Sequence, residues 1–424
     1  MLEIDATRIP LEFDSGASIP TPFYIYDFDV LDRRLTRLRD RFAGLFQPSF
    51  AVKSNPNRAL IGRVLSCIDH IDASSAHEVE RALSIGVSPD HISWSGPGKR
   101  RSELEVLSKL GLTIVVEAED EIELLSEITA TYRAPQDIVL RINPDHVPKG
   151  FGASMSGNPS QFGIDEPAIG HAIDLIKRAP GLRLTGFHAY TGSMCLTPEP
   201  IAENIANLCA IFRKAVALAG IVPNTLIFGA GFGIPLHAGQ KPLDIDALHA
   251  LVEPHIRELA NDPVLGAARR LLEVGRWISG PTGALVSSVL SAKTSRGLAV
   301  AVCDAGFNNH LAACGMMGSV FQKNYPIQAI RRQGSADDPP QEQMLAGPLC
   351  TSIDQLARRI ELPPLRRGDA IAVLMSGAYG LTASPTRFIS HPEPAEYALS
   401  DGKLTDISES GLNRLGSLVP GLRP

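Results

Sequence analysis

The sequence has no CxxC pair, no long apolar run and no basic block, and each absence removes a class of protein. Its six cysteines, Cys67, Cys195, Cys209, Cys303, Cys314 and Cys350, are scattered along the chain. Such spacing suits reduced thiols better than a disulfide frame or a zinc site, so no metal is expected. No stretch reaches the roughly 18 uninterrupted apolar residues of a membrane-spanning helix. The opening MLEIDATRIPLEFDSG carries acids and lacks the apolar centre of a secretion signal. A soluble, cytoplasmic protein is the expectation. Forty basic residues against 46 acidic ones leave a net charge of −6. No basic patch is interleaved with aromatics, so neither nucleic acid nor an anionic membrane is an expected partner.

What is present is an ordinary globular balance, 424 residues that are 44% hydrophobic and 20% charged, enough for a large core and a second one. From residue 49 onward short β-rich runs alternate with helix-patterned segments. SFAV, HIDA, HISW and TIVV come first, and DIVLRI, LRLTGFHAY, NTLIFG and RRLLEVG follow. Between them, segments such as SAHEVERALSIG and RSELEVLSKLG place apolar residues at i, i+3, i+4 and i+7 and end at glycine, as helices do. Eight strands with eight helical connections, over a length near the roughly 250 residues typical of the fold, predict a (β/α)8 TIM barrel. An open doubly wound sheet is the alternative. After Arg276 the texture changes to runs such as GALVSSVLSAKTS and DAIAVLMSGAYGL, rich in Val, Ala, Ser and Thr. The expected division is therefore a barrel over 29–276, with 1–28 and 277–424 forming a mainly β domain. The polar stretch RRQGSADDPPQEQ, 331–343, is expected to be an exposed loop.

In such barrels chemistry gathers at the carboxyl ends of the strands. Lys53 stands at the first of these ends, Asp72 and Glu78 at the second, and Gly98 and Lys99 at the third. Arg141 closes the fifth strand. His188, Tyr190, Gly192 and Ser193 follow the sixth, GAGFG (Gly229 to Gly233) the seventh, and Glu273 and Arg276 the eighth. Taken singly these signals are weak, since a strand-end lysine is usually a solvated charge and a glycine turn is often structural. Together they have a chemistry in common. Backbone N–H groups of GAGFG, the Ser193 hydroxyl and the Arg276 guanidinium would form a phosphate cradle. A lysine facing such a cradle, with a carboxylate opposite, points to pyridoxal phosphate: the lysine forms the Schiff base and the acid pairs with the pyridine nitrogen.

AVKSNPN, DASSAHEVE, RINPD with QFGID, GFHAYTGS, GAGFGIP, EVGRW, GPLCTSID and SGAYG occur in that order between about residues 22 and 395. By these motifs the chain resembles the fold-type III pyridoxal phosphate-dependent decarboxylases, of the diaminopimelate and ornithine decarboxylase type. The resemblance implies a barrel followed by a β domain. It also implies that Lys53 is the Schiff-base lysine and Glu273 the pyridinium partner. Ser193, Gly231, Gly233, Arg276 and Tyr379 would then hold the phosphate, with Asp72 and Arg141 beside the lysine. Cys350 resembles the family's catalytic cysteine, a proton donor that the second subunit of a homodimer contributes to a shared site.

The departures bear on substrate. Tyr190 stands where the family usually stacks an imidazole on the cofactor ring, while His188 remains two positions earlier; an aromatic ring can still stack. Members acting on diaminopimelate or ornithine place an acid after the cysteine to hold the distal ammonium, and here that residue is Thr351, followed by Asp354 on the same substrate-facing motif. The stretch DAGFNNHLAACGMMGSVFQKNYP lacks the arginine that diaminopimelate enzymes place there. The pattern is more similar to a subgroup from natural-product and polysaccharide gene clusters, some of whose members decarboxylate an aminoacyl group tethered to a carrier protein. The expected activity is decarboxylation of an amino acid or tethered aminoacyl group. The rivals are a diaminopimelate decarboxylase, a racemase, disfavoured because Glu273 makes a deep electron sink, and a non-catalytic cofactor carrier, disfavoured by the β domain with Cys350 and Tyr379.

Overall fold

The computed structural model describes residues 3–316, 323–331 and 338–409, which form two compact units. The first, Leu35–Gly233 with Pro242–Gly275, is the barrel. Its strands are Gln47–Ala51, His70–Ala73, Ile92–Trp94, Thr113–Val116, Gln136–Asn143, Leu182–Ala189, Thr225–Gly229 and Arg269–Val274. Each runs parallel to the next, and the eighth pairs with the first, so the sheet closes.

Helices fill the seven connections between these strands, from Arg58–Val64 to Ile245–Ala260. The eighth helix, Phe28–Arg41, precedes the first strand instead of following the last. The local reasons are legible. Ser75 caps Ala76–Ser84 by accepting the Glu78 N–H at 3.2 Å, while Val79 and Ala82 face inward. Pro198 opens the long helix Pro198–Ala219, and Gly220, at φ +66°, ends it in the left-handed conformation that glycine adopts without strain.

Inside the barrel Val115, Val139, Ile227 and Leu271 pack together, each almost wholly buried. Side chains in a strand alternate with period two, so Glu117, Arg141, Gly229 and Glu273 form the next layer toward the carboxyl ends. An apolar plug, worth roughly 1.5–3 kcal/mol per fully buried branched side chain, thus supports a polar layer.

Of the described residues, the second unit contains 3–34, Ile234–Lys241 and 276–409. It is built on a nine-stranded mixed sheet. The long strand Gly283–Ser295 pairs antiparallel with Phe23–Asp27, Leu298–Cys303 and Ala370–Val373. Phe23–Asp27 also pairs parallel with Ala395–Ser400. Phe23, Ile25, Ala284, Val286, Ala372 and Tyr397 fill one core. The stretch expected as an exposed loop is corrected at its end: QEQ opens the strand Gln341–Ala346, where Gln343 is buried and its side chain donates to the Leu362 carbonyl at 2.9 Å. Residues 332–337 of that stretch, and 317–322 of the CGMMGSVFQKNYP segment, lie outside the described residues. No described helix is long and apolar enough to cross a membrane.

Candidate active site

Lys53 lies two residues beyond its strand, in the single helical turn Val52–Ser54 that Asn55 and Pro56 stop from growing. Its side chain is 38% exposed, and its Nζ stands 3.8 Å from Oδ2 of Asp72 and 5.7 Å from the centre of the Tyr190 ring. Asp72 sits within its strand with no exposed surface, and its Oδ1 accepts the Ser95 hydroxyl at 2.8 Å. Burial, then the negative charge of Glu273, pushes the Asp72 carboxyl up to about 6 against the pull of Lys53.

Glu273 is equally buried but behaves oppositely. Burial acts to raise its carboxyl, yet His188, Lys53 and Arg141 outweigh burial and hold it down to about 2. His188 Nε2 lies 3.2 Å from Glu273 Oε2, in close contact without the alignment of a hydrogen bond. The other oxygen, Oε1, is buried and has no hydrogen-bond partner among the described residues.

Arg141 is anchored by Glu117, whose two oxygens accept from one guanidinium nitrogen at 3.0 and 2.9 Å. Glu117 also accepts the Gly96 N–H at 2.5 Å. Lys99, the other strand-end lysine, is committed elsewhere: its side chain is 2% exposed and its Nζ lies 2.7 Å from both Glu121 and the Gly96 carbonyl. Glu78 turns back to accept the Ser74 N–H at 2.6 Å.

The glycine turn is interlocked with the Ser193 loop. Cys195 N–H donates to the Gly231 carbonyl at 3.1 Å, and Gly233 N–H donates to the Cys195 carbonyl at 2.7 Å. Gly231 adopts φ +68°, and a Cβ there would strike the Phe151 ring; one on Gly229 would strike the Tyr190 ring. Only glycine fits so close beneath these two rings. Ser193 is held by pairing with Ala153 in a short two-stranded antiparallel sheet.

In the β unit, the Arg276 guanidinium lies 4.4 Å from the centre of the Tyr379 ring. Tyr379 has φ 53°, a left-handed conformation uncommon for a side chain of its size and a mark of functional sites. The Cys350 loop forms a third group. Cys350 is the only fully exposed thiol of the six, and Thr351 beside it is half-buried. Asp354, expected at the substrate, is instead 2% exposed. Its two oxygens accept the N–H groups of Phe307 and Leu349, each at 2.8 Å, and Gly306 and Gly347 press so close that a Cβ on either would overlap the carboxylate.

The structure thus brings Lys53, Asp72, Arg141, His188, Tyr190 and Glu273 into one cluster, with Ser193, Gly231 and Gly233 on two interlocked loops of the same barrel. Glu117, Ser95 and Phe151 were not anticipated from sequence. Glu117 carried a usable signal, a charge directly after the apolar run TIVV, as Lys53 follows SFAV; Ser95 and Phe151 carried none. These residues fit pyridoxal phosphate. Glu273 Oε1 is a buried acceptor still lacking a donor among the described residues, which a pyridinium N–H would supply.

Residues 29–280 match the family described as the pyridoxal-dependent decarboxylases, pyridoxal binding domain. The chain belongs to this family. It is 33% identical over 396 residues to an L-glutamyl-[BtrI acyl-carrier protein] decarboxylase of Niallia circulans, covering 92% of this chain and 91% of the relative. It is 31% identical to a diaminopimelate decarboxylase of Methanothermobacter thermautotrophicus, covering 92% and 89%. The crystal structure of the Helicobacter pylori diaminopimelate decarboxylase complexed with L-lysine superposes with a TM-score of 0.80 at 27% identity, over 92% of this chain and 94% of that one. This protein is therefore a pyridoxal phosphate-dependent carboxy-lyase with a TIM barrel and a mainly β domain, as its motifs implied.

Proposed function

We propose that this decarboxylase acts on an aminoacyl group held by a carrier protein, with no distal ammonium on the substrate. One observation carries the proposal: the loop bearing Cys350 offers no anion. Thr351 is neutral, and the carboxylate of Asp354 is buried and engaged by two backbone N–H groups. An ammonium buried without an anion costs several kcal/mol. The similarity to a decarboxylase named for a carrier-bound glutamyl substrate points the same way.

Within the site, Lys53 would hold pyridoxal phosphate as a Schiff base, Tyr190 would lie against its ring, and Ser193, Gly231, Gly233, Arg276 and Tyr379 would hold its phosphate. The bound cofactor supplies an electron sink for the pair left when the bond to the carboxyl carbon breaks and carbon dioxide departs. Glu273, kept anionic, stabilises the proton on the ring nitrogen and so deepens that sink. Cys350 returns a proton to the former α-carbon, giving an amine. Asp72 and Arg141 frame the Lys53 end of the cavity. The working unit is a twofold dimer in which Cys350 crosses to the neighbouring site, an arrangement that an isologous pairing produces twice.

A panel of free amino acids tests the substrate class. Lysine, ornithine and meso-diaminopimelate should all be turned over poorly. Rapid decarboxylation of free diaminopimelate would defeat the proposal.

A further inference from the structure

We infer that His188 is a positioning residue that holds Glu273 by its Oε2 side, leaving Oε1 alone to meet the cofactor's ring nitrogen. The inference rests on the role proposed for Glu273 and adds a second residue to it.

A buried histidine is most often a core residue with a satisfied ring, as His70 is here, its Nδ1 lying 2.9 Å from the Ser49 hydroxyl. His188 differs. It is 1% exposed, and neither ring nitrogen makes a hydrogen bond among the described residues. Its Nε2 lies 3.2 Å from Oε2 of Glu273. The contact spans a strand, because His188 lies in the sixth barrel strand and Glu273 in the eighth. The residue of the seventh strand paired with Glu273 is Gly229, whose Cβ position is taken by the Tyr190 ring. The charged groups around the pair are the cations Lys53 and Arg141 and the carboxyl of Asp72. His188 is the group in contact with Oε2, and so it opposes rotation of the Glu273 carboxylate toward the Lys53 ammonium.

The holoenzyme tests this with His188→Leu and His188→Gln, using Glu273→Gln as the control. Two properties are read: the pH titration of the bound cofactor's absorbance band, and kcat separately from KM. His188→Leu should retain cofactor through Lys53, but its band should lose the ring-protonated form about one pH unit or more lower than in the wild type. Its kcat should fall by about tenfold or more while KM stays within about twofold. His188→Gln, whose amide keeps a polar group beside Oε2, should fall between wild type and His188→Leu. A spectrum and kcat near wild type in both His188 variants, with Glu273→Gln altered, would overturn the role of His188 alone. An unaltered spectrum in Glu273→Gln would overturn both assignments.

Discussion

The Lys53 ammonium stands 3.8 Å from Oδ2 of Asp72, a carboxyl with no exposed surface, while Lys53 itself is 38% open. Of the two strand-end lysines, Lys53 is thus the one a cofactor can reach. Borohydride reduction of the yellow holoenzyme should fix the cofactor on Lys53, and peptide mass mapping locates it. Lys53→Ala should lose the covalent link without unfolding, because the change removes a half-exposed side chain and no core volume. Cofactor mapped to Lys99 would contradict the assignment.

Asp72 gives a pH-dependent prediction for the apoprotein. Its carboxyl is raised to about 6 in the fold, so the native state binds its proton more readily than the unfolded chain does. The stability this confers is fully present below the ordinary value of 3.8 and is lost as pH rises through about 6. Asp72→Asn removes that loss. Urea unfolding of the apoprotein should find the variant more stable than wild type by about 1–3 kcal/mol near pH 8, with the gap closing near pH 4. A constant difference across that range would show that Asp72 is ionised throughout.

Thr351 and Asp354 divide the work of their loop. Thr351→Asp should improve turnover of an amine-bearing free substrate, since one charge-assisted hydrogen bond contributes roughly 1.5–3 kcal/mol at best. Asp354→Asn turns one acceptor into a donor facing a backbone N–H. It should speed hydrogen exchange at Leu349 and Phe307 and lower kcat, whereas an unchanged exchange rate would remove the clamp from the account.

The shared site is tested by mixing two inactive holoproteins. Lys53→Ala and Cys350→Ala homodimers should each be nearly inactive. After random subunit exchange, half the dimers are mixed and each holds one intact site, so about a quarter of wild-type activity should return. No recovery, with exchange confirmed by native mass spectrometry, would place both residues in one chain's site or Cys350 outside the chemistry.

The barrel was legible because its signal is repetitive: each apolar run ends where a charged or glycine residue begins, and the helices carry their own caps. Lys53, Glu273 and the glycine turn were legible for the same reason, being abrupt polar departures at strand ends. Contacts made across strands were not. Nothing in the sequence links Arg141 to Glu117, or His188 to Glu273, because each pair comes from different strands that only the folded barrel brings together. The inward setting of Asp354 was not legible for a related reason: two backbone N–H groups and two close glycines, distant in sequence or hidden in the fold, hold its carboxylate.

The most direct test of the central claim is intact-protein mass spectrometry of an acyl carrier protein loaded with a glutamyl group and incubated with the holoenzyme, run beside free glutamate, lysine and diaminopimelate. The loaded carrier should lose the mass of one carbon dioxide at a rate far above that of any free amino acid, and the Lys53→Ala variant should leave it unchanged. An unaltered carrier together with brisk release of carbon dioxide from a free amino acid would contradict the account.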